Sequence, residues 1–118
     1  MNKDLRSFIG EARQLGSAFY ANVSKSVDPI FEPCVIQQKL AAEGRYPVIR
    51  CENVNGSELP LLTNLFGNYD LLGLALGVDP DEPKSAILQR FIDREANPLP
   101  TKTISPANAP VKQRVLLG

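Results

Sequence analysis

Apolar residues recur at Leu5, Phe8, Ile9, Ala12 and Leu15, opposite Arg6, Glu11, Arg13 and Gln14. That three-and-four spacing predicts an amphipathic helix at the front of the chain. Asn2 can accept from its first-turn amides, Asp4 sits well beside the positive helix end, and Gly16 suits a left-handed residue after the last turn. Phe19 to Lys25 has no helical face and is rich in aromatic and β-branched residues, so it reads as a short strand. After the Val27-Asp28-Pro29 turn signal, Pro33 is tolerated at the first position of a helix over about 33–43. Val35, Ile36 and Leu40 of that helix are expected inward, with Gly44 as its stop.

Tyr46 to Cys51 returns to strand character, and Pro47 restricts that strand to an edge or places itself among the strand's first residues. Glu52 to Gly56 carries turn chemistry before the apolar Leu59-Pro60-Leu61-Leu62, a strand–turn–strand pattern. Tyr69 to Val78 is too apolar for a surface helix and predicts a short helix buried on most sides, marked by Asn68 and Gly77. Asp79-Pro80-Asp81-Glu82-Pro83 is expected to cap a helix over about 83–95. Ala86, Ile87, Phe91 and Ile92 share its inner face, and Arg90, Asp93, Arg94 and Glu95 its wet side. Pro98, Pro100, Pro106 and Pro110 predict a stiff extended segment, after which Val111 to Gly118 turns apolar again. The elements together predict an α+β (α/β) fold with a small mixed sheet, about four helices and an extended proline-rich C-terminal segment. The expected organisation is a domain over 1–96 and a connector over 97–118.

At 118 residues and 12.9 kDa the chain has the length of one domain. A compact protein of that mass exposes about 6,300 Å². Thirteen basic residues balance thirteen acidic ones, so no net field steers the chain to nucleic acid or an anionic membrane. No apolar run approaches the ~18–20 residues of a membrane span and no signal-peptide core follows Met1, which makes a cytoplasmic location the expectation. Histidine is absent, which excludes imidazole acid/base chemistry, Ser-His and Cys-His pairs, and imidazole metal sites. Cys34 and Cys51 lack metal-ligand spacing and predict two buried thiols in a reducing compartment.

Few residues suggest chemistry. The Asn64-Leu65-Phe66-Gly67-Asn68 stretch is a glycine loop that could approach a ligand, though one glycine between strand and helix ordinarily turns the chain. Asp79, Asp81 and Glu82 lack the oxygen-ligand order of a calcium loop and favour helix capping. Glu32, Glu43, Glu52 and Glu58 fall on different elements and define no acid/base pair. Arg45 and Arg50 flank a strand, where they could meet a phosphate or carboxylate or lie over apolar surface.

One ordered set of motifs goes further: Asp4-Leu5-Arg6-Ser7-Phe8-Ile9, Val27-Asp28-Pro29, Glu52-Asn53-Val54 with Gly56, Asn64-Leu65-Phe66-Gly67, and Ala75-Leu76-Gly77-Val78. In this order the chain resembles the amino-terminal region of UbiD-like decarboxylases over nearly its whole length. Pro110-Val111-Lys112-Gln113 and Val115-Leu116-Leu117-Gly118 resemble that family's passage into its next domain. Pro33 departs from the smoother helix usual after Val27-Asp28-Pro29. The resemblance implies reversible decarboxylation of aromatic or α,β-unsaturated acids with prenylated FMN, a divalent metal, usually manganese, and potassium. It also implies that the family's Glu-Arg-Glu network and its Asn, His and Glu metal ligands lie downstream, so no catalytic, cofactor-binding or metal residue is assigned within 1–118.

Three readings follow. In the first, the chain is the non-catalytic amino-terminal domain of such an enzyme, its partner the flavin-binding domain or subunit. In the second, it is a non-catalytic small subunit of a multi-chain carboxylase. In the third, it is an independent binding module using Arg45, Arg50 and the loop around Gly67. The first two imply a homo- or hetero-oligomer, to which the apolar run at 111–117 could add self-association.

Overall fold

The computed structural model describes residues 4–112. Its elements are α1 (Leu5–Gln14), β1 (Tyr20–Val27), α2 (Glu32–Ala42), β2 (Val48–Val54), β3 (Leu61–Thr63), α3 (Tyr69–Leu76) and α4 (Lys84–Ala96). Short 3₁₀ turns follow at Pro106–Asn108 and Pro110–Lys112. The four helices and mixed three-stranded sheet are the expected α+β architecture.

Strand order is β1-β2-β3, with β1 and β2 parallel across the α2 crossover and β3 antiparallel to β2. The turn expected at 52–56 therefore does join a strand pair, with Gly56 at φ 79°. β2 is the central strand, so the edge alternative for Pro47 fails: Pro47 is buried just before the strand, where no ladder donor is lost.

The sheet divides the core in two. On one side Val48 meets Phe8 and Ala12 of α1 and Leu71 and Leu74 of α3. On the other, Val27, Ile49 and Cys51 pack with Ile36 and Leu40 of α2. Alternation along β2 sends Val48 one way and Ile49 and Cys51 the other, so this strand joins both halves. Complete burial of an aliphatic side chain is worth roughly 1.5–3 kcal/mol, and Val48, Ile49 and Leu71 are all completely buried.

Local signals worked unevenly. Asp4 is the N-cap of α1, its Oδ1 accepting from the Ser7 amide at 2.8 Å while Ser7 Oγ accepts from the Asp4 amide at 3.0 Å. These contacts hold the Asp4 carboxyl below its ordinary range, the Ser7 amide foremost. Asp4 thus takes the capping place expected of Asn2, which lies outside the described residues, as do 113–118 of the apolar C-terminal run. Gly16 is left-handed at φ 96°, and Gly77 closes α3 at φ 77°.

Four expectations change. Helix α2 begins one residue before Pro33, behind Phe31 at φ 65°, and Val35, about 100° round the helix from Ile36, lies on the exposed side. Cys34 is exposed as well, whereas Cys51 is buried, and burial pushes its thiol above the ordinary value. The acidic cluster does not cap α4: Pro83 is the N-cap, and Glu82 folds back to accept from the Asp79 amide at 3.1 Å. On α4 only Ile87 is buried, while Phe91 and Ile92 are exposed. Arg90 and Arg94 reach from the wet side to the Gly77 and Leu76 carbonyls, donating at 3.4 and 2.9 Å, where cations complement the end of α3.

Exposed large apolar side chains include Phe31, Leu59, Tyr69, Leu88 and Phe91.

Candidate functional site

The Asn64–Asn68 stretch is a strap. Asn64 turns the chain at φ 58° and its Nδ2 donates to the Pro47 carbonyl at 2.9 Å. Asn68 donates through Nδ2 to the Tyr46 carbonyl at 3.2 Å and accepts through Oδ1 from the Leu71 amide at 2.8 Å, capping α3. Between them Gly67 passes so near the same backbone that a Cβ there would lie 2.7 Å from the Tyr46 oxygen and would meet the Asn64 amide group. These polar groups serve the fold, joining the entry of β2 to the start of α3. The glycine is required by close approach to backbone, and the turn reading of this loop holds.

Among the described residues a small concavity of about 240 Å³ lies where α1 begins, beside Leu65, Phe66 and Ala75, and two others are larger. A polar cleft of about 360 Å³ opens where α1 ends, lined by Arg13, Gly16, Ser17, Tyr20, Asn22, Arg50 and Glu52. Register places Asn22 beside Arg50, so the strand pair presents polar side chains here, in contrast to the apolar face under α2. Arg13 lies 6.0 Å above the Tyr20 ring, Tyr20 donates to Asn22 Oδ1 at 3.4 Å, and Arg50 pairs with Glu52 at 3.4 Å. Guanidinium and amide groups of this kind can hold and orient an oxyanion. The arrangement brings no nucleophile to a base.

Arg45, the other arginine singled out in the sequence, is elsewhere engaged, donating to the Ser17 carbonyl at 2.8 Å and pairing with Glu43 at 3.5 Å. Its place beside Arg50 is taken by Arg13, which helix periodicity assigned only to a wet face. The usable signal was alternation, since Tyr20 and Asn22 on one strand, and Arg50 and Glu52 on the next, fall at period two.

The second of the larger concavities is an apolar groove of about 370 Å³ between α3 and α4, lined by Tyr69, Leu72, Leu76, Lys84, Ile87, Leu88 and Phe91. Lys84 stands 5.7 Å over the Tyr69 ring at its rim. The carboxylates stay apart: Glu32 binds Lys25 at 2.5 Å and accepts from the Asp28 amide at 2.7 Å, and Glu58 is exposed in the hairpin loop. Lys25, then the Asp28 amide, hold the Glu32 carboxyl below its ordinary value. Among the described residues no group of three or more Cys, Asp or Glu could hold a metal ion, and no helix is long and apolar enough to cross a membrane.

Residues 20–91 match the family model described as 3-octaprenyl-4-hydroxybenzoate carboxy-lyase N-terminal domain. Among solved structures, the chain is similar to the vanillic acid decarboxylase of Sedimentibacter hydroxybenzoicus in its open form. That likeness has 24% identity and a TM-score of 0.78, covering 98% of this chain and 25% of that one. A second likeness is to an evolved dimeric form of the UbiD-class enzyme HmfF from Pelotomaculum thermopropionicum, solved with prFMN. Here identity is 29% and the TM-score 0.73, over 92% of this chain and 23% of that one. The chain thus spans about a quarter of the length of the solved proteins it matches.

Proposed function

The chain belongs to the family of UbiD-type 3-octaprenyl-4-hydroxybenzoate carboxy-lyase N-terminal domains, and from that premise we propose that residues 1–96 are the supporting front domain of a cytoplasmic prenylated-FMN-dependent (de)carboxylase. Residues 97–118 are the connector toward its flavin-binding domain, and the substrates are aromatic or α,β-unsaturated carboxylic acids. The observation that carries this reading is the use made of the motif residues. Asn64, Gly67 and Asn68 hold β2 to α3, and Gly77 ends α3, so these residues of the resemblance build a scaffold.

The cofactor supplies the electron sink for cleavage of the carboxyl bond when it is bound. The sequence has no histidine, and among the described residues no group of three or more Cys, Asp or Glu could hold manganese. In this reading the ligands of the metal ions come from the flavin-binding part, which this domain supports from outside.

Two measurements test the proposal. The purified 118-residue chain, given prenylated FMN, Mn²⁺, K⁺ and a hydroxybenzoate or cinnamate, is expected to release no carbon dioxide, and turnover would overturn its non-catalytic role. An antibody against residues 20–91 should detect, under denaturing conditions, a native species roughly four times the mass of this chain, in line with the quarter it covers of its solved relatives. A native species at 12.9 kDa would overturn the front-domain reading in favour of a separate small subunit.

A further inference from the structure

The outer stripe of α4 consists of Lys84, Leu88, Phe91 and Glu95, at successive spacings of four, three and four. That spacing keeps one side of a helix in line over three turns, as in the seam of two packed helices. Its middle is apolar and open, with Leu88 63% and Phe91 53% exposed, and it borders the groove whose other wall is Tyr69, Leu72 and Leu76 of α3. Its ends carry opposite charges. Neither Lys84 nor Glu95 has an ion-pair partner among the described residues.

The order of these four residues is complementary under reversal, with apolar residues in the middle and opposite charges at the two ends. When a second α4 lies antiparallel across the first, Leu88 faces Phe91 of the other copy, and Lys84 faces its Glu95. Both pairings then occur twice, as a two-fold axis requires of a self-complementary patch. A parallel arrangement would instead set lysine against lysine and glutamate against glutamate. We propose that the α3–α4 groove is a homodimer interface, in which antiparallel α4 helices pack Leu88 on Phe91 and close with reciprocal Lys84–Glu95 pairs. This contact is independent of the catalytic reading above, because it follows from the order of side chains on one helix.

The test is sedimentation of the full 118-residue chain over a range of concentrations at low ionic strength. A reversible monomer–dimer equilibrium is expected, and a chain still monomeric at about 1 mM overturns the proposal and leaves the groove to another domain. Phe91→Glu should weaken association at least about 30-fold, as loss of a central aromatic anchor does. An unchanged dimer would move the interface elsewhere.

The register has its own readout, and these exposed positions can be exchanged without disturbing the core. Lys84→Glu or Glu95→Lys alone, each setting like charges opposite one another twice, should weaken the dimer roughly tenfold, and the double exchange should restore it. Failure of the double exchange to rescue overturns the antiparallel register. Leu116→Asp should leave the dimer intact, and loss of association in that variant alone would assign self-association to the C-terminal run.

Discussion

Two strand-to-helix connections carry much of the family resemblance, and they are built on opposite terms. The one from β3 to α3 is fixed from within: Asn64 and Asn68 bind the Pro47 and Tyr46 carbonyls, and Gly67 is wedged against the same backbone. The one from β1 to α2 is held from outside. Asp28 Oδ1 accepts from the Ile30 amide at 2.8 Å, Glu32 receives both the Asp28 amide and Lys25, and Phe31 stands 77% exposed in the left-handed region. A connection fixed by close backbone approach has no slack, because an added atom must move the strand. A connection fixed by exposed carboxylates tolerates change and responds to pH. Similar motif status in the sequence thus conceals two different physical roles.

The sharpest way to break the contrast is a single methyl group in each connection. Gly67→Ala places carbon against the Tyr46 oxygen at 2.7 Å, and neither that carbonyl nor the buried Pro47 beside it is free to move. We expect a loss of about 3 kcal/mol, at the upper end for overpacking, read as a lowered urea midpoint with unchanged m-value. A loss below about 0.5 kcal/mol would show that the strap yields and that the two connections are alike.

This asymmetry also marks how far the sequence could be read. The front helix, Gly16, the Asn68 and Gly77 boundaries of α3 and the strand–turn–strand around Gly56 were legible, because each depends on neighbours within a few residues. The strap was not, since nothing local tells Asn64 that its partner is the Pro47 carbonyl seventeen residues earlier. Helix α2 shows a subtler limit. At about 100° per residue Val35 lies far round the helix from both Ile36 and Leu40, so the three cannot share one face, and Val35 and Cys34 are exposed while Ile36 and Leu40 pack. On α4, periodicity identified an apolar stripe but could not say whether α3 or something else would cover Phe91 and Ile92. Arg90 and Arg94 do lie on the wet side, but charge alone does not reveal the end of α3 that they reach from there. The polar cleft was half legible: Arg50 was noticed, but its companion is Arg13 rather than Arg45.

The β1-to-α2 connection should respond in the reverse direction to Gly67. Phe31 has a left-handed backbone that costs a non-glycine residue roughly 1 kcal/mol, and its exposed ring returns little by burial. Phe31→Gly relieves the backbone at some cost in chain entropy, so a net gain of about 0.5 kcal/mol is expected. Phe31→Ala keeps the strain and should be nearly neutral. Thermal melts of the pair separate backbone from side chain, and a clear loss in both would mean that the ring, not the backbone, holds this turn.

The smallest effect lies in the pH response of the same connection. Lys25 and the Asp28 amide favour ionised Glu32, so its pKa is lower folded than unfolded. A depressed carboxyl stabilises the fold fully above its ordinary pKa of 4.5 and loses that contribution as pH falls through the folded value. Glu32→Gln removes the titration without changing the shape of the side chain. The wild-type protein should therefore melt slightly above Glu32→Gln at neutral pH, with the difference closing below the ordinary carboxyl range. Subtracting one melting curve from the other removes the parallel contribution of Asp4, which is depressed for its own reason at α1 and is common to both chains. Added salt should shrink the neutral-pH difference as well, because Lys25 is exposed and Glu32 only half-buried. A difference that persists unchanged into acid would mean that Glu32 acts through packing, and that this connection too is fixed from within.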